Sequence, residues 1–341
     1  MRRLNVCMPD WQSAGADRTL YHGAQFLKTC LADRVDFVEL PVPIDRKPVR
    51  RHGVIGHSDV VTQLQRFGRT IDQAEPETLF TVGGTCGMEV VPISYLNRRH
   101  DRNLTVIWFD AHADLNTPES SPSGTFHGMP LRVLLGEGDQ ALRATAYSTL
   151  HPDQVVLAGV RDLDPDELAV IERHRIAQVS VASLARPEAL SQSIDATGNT
   201  KLYVHLDFDV LDPAEFPHAY VPTPDGASVE RLADTIRFLA ERYTIVGASM
   251  VELAPQGAGP RNEVNEAVRG VVVVALPPTV ACCSARARQT GTYPDCPRRL
   301  DAAARLPAQP RRPRGESGWR ARRCSSAPVA ARFLLRSTPR R

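Results

Sequence analysis

The sequence predicts an α/β protein, a three-layer αβα sandwich with a mostly parallel, doubly wound sheet. Two observations predict this fold. Strand-like apolar runs alternate with helical patterns along the body of the chain, which is typical of a parallel sheet with helices on both faces. Most of the runs are also apolar on both faces, as strands buried between two helix layers are.

Eight runs predict strands, at residues 4–8, 35–40, 78–82, 104–109, 155–160, 177–181, 202–206 and 244–251. Two intervening segments, 165–174 and 228–243, predict helices, the second with Ser228 placed as an N-cap. The hydrophobic content of 42% and charged content of 23% are close to globular averages. The chain can therefore bury a sizeable core.

The last fifth of the chain differs in composition from the rest. Residues 277–341 contain fifteen Arg, no Lys and three acidic residues, a net charge of +12, whereas the whole chain carries +2. A segment so rich in Arg, Pro and Ala buries too little apolar surface to fold alone. We therefore expect one domain over residues 1–276 and a tail over 277–341. Two interpretations of the tail stay open: a disordered extension, or a gene read out of frame after about Leu276.

Location and redox compartment follow from what the sequence contains. It has no apolar run of membrane-spanning length and no signal-peptide pattern at its start, so we expect a cytoplasmic protein that does not bind membranes. Cys7, Cys30 and Cys86 lack CxxC spacing, as expected in a reducing compartment. The basic tail lacks interleaved aromatic residues, so nucleic-acid binding is not expected.

Two acidic clusters follow predicted strands. Asp110, His112 and Asp114 are spaced at i, i+2 and i+4, and Asp207 and Asp209 at i and i+2. On extended chain such residues share one face. Up to five oxygen and nitrogen ligands could then converge on divalent metal, and so many carboxylates favour two ions over one.

Acidic residues at strand ends can also have a purely structural role in turns or helix caps. Asp212 and Pro213 are typical turn formers, and a turn is what we expect of them. The two clusters instead follow the apolar runs 104–109 and 202–206, where a doubly wound sheet places its ligands. Burying this many like charges without a cation would be costly. We therefore expect metal binding.

Five segments that follow predicted strands carry unusual residues. Because the carboxyl ends of parallel strands meet at one edge of a sheet, we expect these segments to converge there. They are residues 83–87, 110–114, 161–165, 207–212 and 252–255.

The cluster residues match two motifs of a known family. Residues 110–114 read D-A-H-A-D and residues 207–213 read D-F-D-V-L-D-P. Over roughly residues 3–270 the chain resembles the ureohydrolase (arginase/agmatinase/formiminoglutamase) family, which hydrolyses guanidino groups with two manganese ions. The resemblance implies that Asp110 and Asp207 bridge two Mn²⁺ ions. It further implies that His112 and Asp209 complete one ion and Asp114 the other.

Two further motifs resemble those of arginases within this family. Residues 116–118 read N-T-P and residues 123–128 read S-G-T-F-H-G. The resemblance implies that Asn116 and Ser123 bind the α-carboxylate of a substrate. It places Asp164 at the α-amino group and Glu252 at the guanidinium.

The chain also departs from the family pattern. A histidine that ligates one ion is expected where Cys86 stands, and thiolate favours zinc, iron or other metals softer than manganese. Either one ion is lost, or the site takes another divalent metal; a buried thiol without a ligand role is the third interpretation. Thr85 replaces a carboxylate expected to support this loop. Ser249 and Ala254 replace polar residues usual in arginases.

The chemistry expected from the resemblance is hydrolysis of a guanidino C–N bond, most directly L-arginine to L-ornithine and urea. The nucleophile is a hydroxide that bridges the metals. Asp114, beside that oxygen, is expected to pass a proton to the leaving amine. His127 has an ordinary pKa suited to the same delivery. Glu252 is expected to hold the guanidinium for attack.

Two alternatives stay open. The first is another ureohydrolase, an agmatinase, guanidinobutyrase or formiminoglutamase. The second is a non-catalytic metal-binding homologue, because Cys86 replaces a ligand histidine. In each case the expected partner is a small guanidino compound. The resemblance also implies a homo-oligomer, a trimer or a hexamer.

Overall fold

The computed structural model describes residues 2–255 together with residues 264, 265 and 268. The expected domain boundary at residue 276 and the tail 277–341 lie outside the described residues. Within the described part of the chain, none of the helices combines the length and apolar character that a membrane crossing requires.

In the described part of the chain, eight strands form one sheet in which every neighbouring pair is parallel, in the order β2-β1-β3-β8-β7-β4-β5-β6. The strands are β1 Arg3–Met8, β2 Val38–Glu39, β3 Thr78–Gly83, β4 Thr105–Phe109, β5 Val155–Ala158, β6 Ala177–Val179, β7 Lys201–Asp207 and β8 Thr244–Val251.

All eight predicted strands are present. β2 is much shorter than predicted, because at the sheet edge only Val38 and Glu39 pair with β1 and both are exposed. β5 ends early at Gly159, whose φ of +98° is incompatible with a continuing strand. A Cβ at Gly159 would also lie 2.7 Å from Val210 Cγ2.

Within residues 2–255, eight α-helices connect the strands and cover both faces of the sheet. They are α1 Thr19–Cys30, α2 His57–Ala74, α3 Val90–Arg99, α4 Pro130–Leu134, α5 Gln140–Arg143, α6 Pro165–His174, α7 Pro187–Ala196 and α8 Val229–Arg242. Short 3₁₀ turns lie at Gln12–Ala14, Cys86–Glu89, Phe126–Gly128, Pro152–Gln154, Ser183–Ala185 and Phe208–Val210. Both predicted helices are confirmed, and Ser228 Oγ accepts the Arg231 N–H at 3.2 Å as the predicted N-cap of α8.

The two faces of the sheet bury separate hydrophobic cores. Along β4, Val106 and Trp108 pack with the α2–α6 side, whereas Ile107 and Phe109 pack with α1, α7 and α8. This alternation follows from the twofold period of a strand, and every β4 side chain is buried. The predicted three-layer αβα architecture is confirmed.

The strands β3, β8, β7, β4 and β5 are consecutive neighbours in the middle of the sheet. The five unusual segments are those that follow these five strands. Their convergence at one sheet edge is confirmed by the cleft described below.

Candidate metal centre

The two acidic clusters converge by turns, not along extended chain. β4 ends at Phe109, the backbone bends through residues 110–112, and Asp114 has a left-handed φ of +53°. Asp110 Oδ1 accepts the His112 N–H at 2.6 Å, and Asp207 Oδ1 accepts the Asp209 N–H at 2.7 Å. Aspartate side chains commonly bond the backbone two residues on and so favour turns. The expectation of an extended backbone at these clusters is therefore wrong, although their side chains still come together.

An oxygen-rich group consists of Asp110, His112 and Asp209, whose ligand atoms lie within 4.8 Å of one another. His112 Nδ1 lies 2.9 Å from Asp209 Oδ2 and 3.4 Å from Asp110 Oδ1. Asp209 Oδ1 also accepts the Ala111 N–H at 2.9 Å, which joins the ends of β4 and β7. The resemblance assigned these residues to one ion, and they are adjacent.

Cys86 belongs to two further groups of this kind, one with Asp207 and Glu252 and one with Asp110 and His205. Cys86 Sγ lies 3.2 Å from Asp207 Oδ2. The Cys86 N–H donates to Glu252 Oε1 at 3.0 Å. Cys86, Asp110 and His205 are called the thiolate group below; no motif in the sequence indicated His205.

Burial and mutual repulsion raise the pKa of several of these acids. Burial, then the charges of Asp209 and Asp110, hold the pKa of Asp207 well above its ordinary value. Burial, then Asp110, does the same to the pKa of Asp114. Burial and Asp110 raise the pKa of Asp209 to about 6, against the opposing effect of His112. Such shifts identify a cluster of like charges that lacks compensating positive charge.

Two histidines oppose this trend around Asp110. Burial by itself would raise the pKa of Asp110, but His112 and His205 outweigh it, and the pKa lies below its ordinary value. Burial would lower the pKa of His112, but Asp110 and Asp209 raise it well above the ordinary value. Burial raises the pKa of the Cys86 thiol, with further contributions from Asp114 and Asp207.

The donors at this edge fit divalent metal. Among the described residues, the buried atoms Asp114 Oδ2 and Glu252 Oε2 have no hydrogen-bond partner. An unpaired buried carboxylate oxygen is costly, and a cation compensates it. Carboxylates are the donors that ions such as Mn²⁺ prefer, imidazoles suit zinc and iron, and the thiol is softer than either.

Asp10 holds the loop that carries Cys86. Its Oδ1 accepts the N–H groups of Gly84 at 3.0 Å and Thr85 at 3.2 Å, and its Oδ2 contacts the Thr85 hydroxyl. A Cβ at Gly84 would lie 1.6 Å from the Asp10 carbonyl oxygen, so only glycine fits there. Thr85 does remove a carboxylate, but Asp10 supplies one to the loop from the end of β1.

A cleft of about 170 Å³ opens above these groups. Asn116, Ser123 and Asp164 line it together with the carboxylates. Asn116 Nδ2 donates to Asp164 Oδ2 at 2.8 Å, and Ser120 Oγ donates to Asn116 Oδ1 at 2.7 Å. The structure thus brings together the residues expected at an α-carboxylate and an α-amino group.

His127 lies beside Glu252 deeper in the cleft, with Nδ1 3.3 Å from Oε1. Burial would lower the pKa of His127, but the charge of Glu252 raises it above the ordinary value. Glu252 adopts a left-handed φ of +61°, a strained conformation for a non-glycine residue. Asp114, the other expected catalytic carboxylate, shares this feature, and such strain is concentrated at functional sites.

Several residues at the site were not predicted. Glu167 lines the cleft, and its oxygens accept the N–H groups of Leu115 at 2.9 Å and Asp164 at 3.0 Å. Its position three residues after Asp164 is a capping-box signal that the sequence did contain. Glu89 and His205 carry no local motif, so only the fold reveals them.

Two residues that are not expected metal ligands, Asp212 and Arg161, hold the loops after β5 and β7 in place. Asp212 accepts the N–H groups of Ala214 at 2.9 Å and Gly226 at 3.0 Å, so its predicted turn role is confirmed. The Arg161 guanidinium donates to the Asp209 carbonyl oxygen at 2.7 Å and to that of Thr223 at 2.6 Å. These bonds tie the loop after β5 to the loops after β7.

Residues 17–275 match the model of the arginase family. An arginase of Staphylococcus aureus (strain MSSA476) is 30% identical over 240 residues, which are 67% of this chain and 79% of that protein.

Solved structures share the fold. The arginase of Entamoeba histolytica in complex with L-ornithine has a TM-score of 0.70 at 21% identity, covering 81% of this chain and 98% of that one. The formimidoylglutamase of Bacillus subtilis has a TM-score of 0.59 at 15% identity, covering 80% and 85%. Since one fold carries both enzymes, the fold alone does not select a substrate. The family model nevertheless matches most of this chain. The chain therefore belongs to the arginase family and is a hydrolase that acts on carbon–nitrogen bonds.

Proposed function

We propose that this enzyme hydrolyses the guanidino group of L-arginine, or of a close α-amino acid analogue, and releases urea. The observation that carries the proposal is the joining of two features in one cleft. Carboxylates and imidazoles suited to two divalent ions lie at its floor, and Asn116, Ser123 and Asp164 line its wall. A guanidino compound with an α-amino acid end matches both.

Two divalent ions, of which manganese is the family's expected metal, would be held by Asp110, His112, Asp114, Asp207, Asp209 and Cys86. When bound, they lower the pKa of water towards neutrality and so supply a nucleophile at ordinary pH. In the reaction, the oxygen of water bonds to the guanidino carbon, and the bond from that carbon to the nitrogen of the substrate chain breaks. That nitrogen takes a proton and leaves as the amine, and the guanidino carbon leaves as urea.

The residues of this chain perform three tasks. Glu252 carries a buried oxygen with no hydrogen-bond partner among the described residues and can pair with a guanidinium, fixing the carbon for attack. Asp114 can accept a proton from the attacking water. His127, whose raised pKa favours the protonated form, can deliver one to the leaving nitrogen.

The substrate's α-amino acid end distinguishes arginine from agmatine, which has no carboxylate. Asn116 donates one N–H to Asp164, and its amide carries a second. That second N–H and the Ser123 hydroxyl can bind a carboxylate, while Asp164 can accept from an ammonium group. A substrate without these groups would leave Asn116 and Asp164 bonded only to protein.

The test is urea release by metal-loaded protein from arginine, agmatine and guanidinobutyrate, with formiminoglutamate hydrolysis assayed through its formamide product. Urea from arginine in excess of the others supports the proposal. Turnover of a different substrate keeps the hydrolase and rejects this specificity. Silence on all four with manganese, zinc, cobalt and nickel favours the non-catalytic alternative, for which the Cys86 replacement is the structural ground.

The variant Asn116→Ala tests the carboxylate contact. A hydrogen bond to a charged group contributes about 1.5–3 kcal/mol, so KM for arginine should rise about 10- to 100-fold with little change in kcat. KM for agmatine should not change. Asn116→Asp should raise KM for arginine further by repulsion. An equal rise for both substrates would show that Asn116 does not read the carboxylate.

A further inference from the structure

His205 lies where no motif predicted a functional residue. It belongs to β7, two residues before Asp207, and the twofold period of the strand directs both side chains to one face. Its side chain is fully buried. Nε2 lies 3.6 Å from Cys86 Sγ and 3.7 Å from Asp110 Oδ2.

Cys86 completes a triangle with these two atoms. Its Sγ lies 3.9 Å from Asp110 Oδ2. Metal–sulfur bonds of about 2.3 Å and metal–nitrogen or metal–oxygen bonds of about 2.0–2.1 Å place the donors of one tetrahedral ion about 3.3–3.6 Å apart. The three observed separations are within a few tenths of an ångström of that range.

Two groups face the other side of the His205 ring. Ser249 Oγ lies 3.4 Å from His205 Nδ1. Glu89 Oε1 lies 3.5 Å from the same nitrogen and, among the described residues, makes no hydrogen bond. Glu89 Oε2 accepts the Tyr203 hydroxyl at 2.7 Å, which holds the carboxylate in place. Metal-binding histidines characteristically direct the second ring nitrogen at a carboxylate, which fixes the tautomer and leaves the first nitrogen to bind the ion.

The ring of His205 is fixed in this orientation by packing. It stacks on Trp108 with centroids 3.6 Å apart, and Trp108 Nε1 donates to Asp110 Oδ2 at 3.0 Å. A histidine with only a packing role would not need the Glu89 carboxylate near Nδ1, nor the Cys86 thiol and the Asp110 carboxylate near Nε2.

The geometry points to His205 as a metal ligand, which with Cys86 and Asp110 forms a sulfur–nitrogen–oxygen site for one of the two ions, oriented by Glu89. The inference rests on the proposed function only in that it concerns a metal of the same cleft. The family pattern expects an imidazole where Cys86 stands. In this chain β7 supplies an imidazole to the same place, and the thiolate is added to it.

The donor set has a consequence for metal choice. Thiolate with imidazole suits zinc, cobalt or iron, whereas carboxylate-rich sites suit manganese. The thiolate group should therefore prefer Co²⁺ or Zn²⁺ over Mn²⁺ by a larger factor than the oxygen-rich group does.

The experiment is Co²⁺ titration of the metal-free full-length protein, followed by thiolate-to-cobalt charge-transfer absorption and by bound metal per chain. We expect a thiolate band in the wild type that Cys86→Ser removes. Cys30→Ser is the matched control, since Cys30 is also buried but lies outside the three ligand groups. Each variant replaces one buried cysteine and keeps all the others. Cys30→Ser should keep the thiolate band.

His205→Gln tests the inferred ligand itself, and Glu89→Gln the orienting carboxylate. We expect His205→Gln to lower the Co²⁺ affinity of the thiolate-banded site by about 100-fold or more and Glu89→Gln by about 10- to 100-fold, both with altered ligand-field bands. Far-ultraviolet circular dichroism identifies variants that fail to fold. For those, X-ray absorption of the wild type loaded with one Zn²⁺ per chain decides. The shell of that single ion must contain both sulfur and imidazole, whereas a second zinc would add the imidazole of His112.

Three outcomes would overturn the inference. One is a wild type without a thiolate band. Another is a folded His205→Gln protein with unchanged affinity and spectrum. The third is a zinc shell that contains sulfur but no imidazole at that ion. None of these readouts needs substrate, so an absence of urea release would reject the proposed function and leave this inference standing.

Discussion

The oxygen-rich group and the thiolate group share Asp110 yet differ in donors and in access. The His112 side chain of the oxygen-rich group is 24% exposed and faces the cleft, whereas His205 of the thiolate group is fully buried. The ion pairs of His112 within the described part of the chain are with carboxylates, whereas His205 also lies 3.6 Å from the Cys86 sulfur. For the proposed pair of ions, we therefore expect the one at the oxygen-rich group to exchange more readily than the one enclosed by the thiolate group. The variants below test that contrast.

Asp207→Ala should have the largest effect on activity, because Asp207 lies next to both groups. It contacts the Cys86 thiol of the thiolate group, and its charge interacts with Asp209 of the oxygen-rich group. We expect loss of metal binding and a fall in kcat/KM of about 10³-fold or more, since the metals supply several kcal/mol of charge stabilisation. Metal analysis and urea release measure it.

The stability of the metal-free Asp207→Ala protein serves as a control for its folding. Because burial and like charges raise the pKa of Asp207, the metal-free variant should be at least as stable as metal-free wild type. Retained activity with two ions bound would show that Asp207 is not required to hold either ion.

His112→Asn should weaken the oxygen-rich group alone. We expect Mn²⁺ affinity to fall about 10- to 100-fold while the thiolate-to-cobalt band persists. Asp162→Asn is the control, because Asp162 Oδ2 lies 3.7 Å from His112 Nε2 but its side chain is 66% exposed. Exposed ion pairs contribute little, so this variant should keep its Mn²⁺ affinity. Loss of the thiolate band in His112→Asn would contradict two separable groups.

Cys86→His should remove the contrast between the groups. An imidazole in place of the thiolate makes both ions nitrogen- and oxygen-bound, so the ratio of Mn²⁺ to Zn²⁺ affinity should rise about 10- to 100-fold. Competitive metal titration measures the ratio. An unchanged ratio would mean that the Cys86 sulfur does not take part in metal choice.

Asp10→Asn should act more weakly, through the loop that carries Cys86. Burial raises the pKa of Asp10 from 3.8 to about 7. Between these values the unfolded chain releases the proton and the folded chain keeps it, so this contribution to stability falls as pH rises from about 4 to about 7 and then levels.

The Asn side chain does not titrate. The free energy of unfolding of metal-free wild type, relative to Asp10→Asn, should therefore decrease by a few kcal/mol over that pH range. Urea denaturation at successive pH values measures it. A difference that grows with pH would contradict the assigned direction of the shift.

The fold was largely predictable because its signals are local. Strand-length apolar runs and the Ser228 cap are properties of neighbouring residues, and β8 and α6 have the predicted bounds. The prediction of β2 was poor because an edge strand is limited by its single partner, not by its own residues. Helix α2 was not singled out, although its buried positions Val60, Leu64, Phe67 and Ile71 follow a helical period.

The candidate site was predictable to the extent that its residues cluster in sequence. Asp110, His112 and Asp209 could be named because motifs carry them. Asp10 and His205 could not, because each acts through contacts 70 or more residues away, Asp10 with Thr85 and His205 with Cys86. The spacing of these residues also predicted an extended backbone where the chain turns. Spacing alone does not reveal the turn that gives Asp114 a positive φ.

The stacking of Trp108 on His205 gives this molecule a built-in optical reporter. The indole also donates to Asp110 Oδ2, so it contacts two members of the thiolate group while it is itself fully buried. Binding of a paramagnetic ion between those members would quench the fluorescence of this indole, whereas occupancy of the oxygen-rich group would perturb it through Asp110 alone. The part of the emission that Trp108, one of three tryptophans, contributes should therefore report metal binding at the enclosed position in real time, without dye, substrate or label.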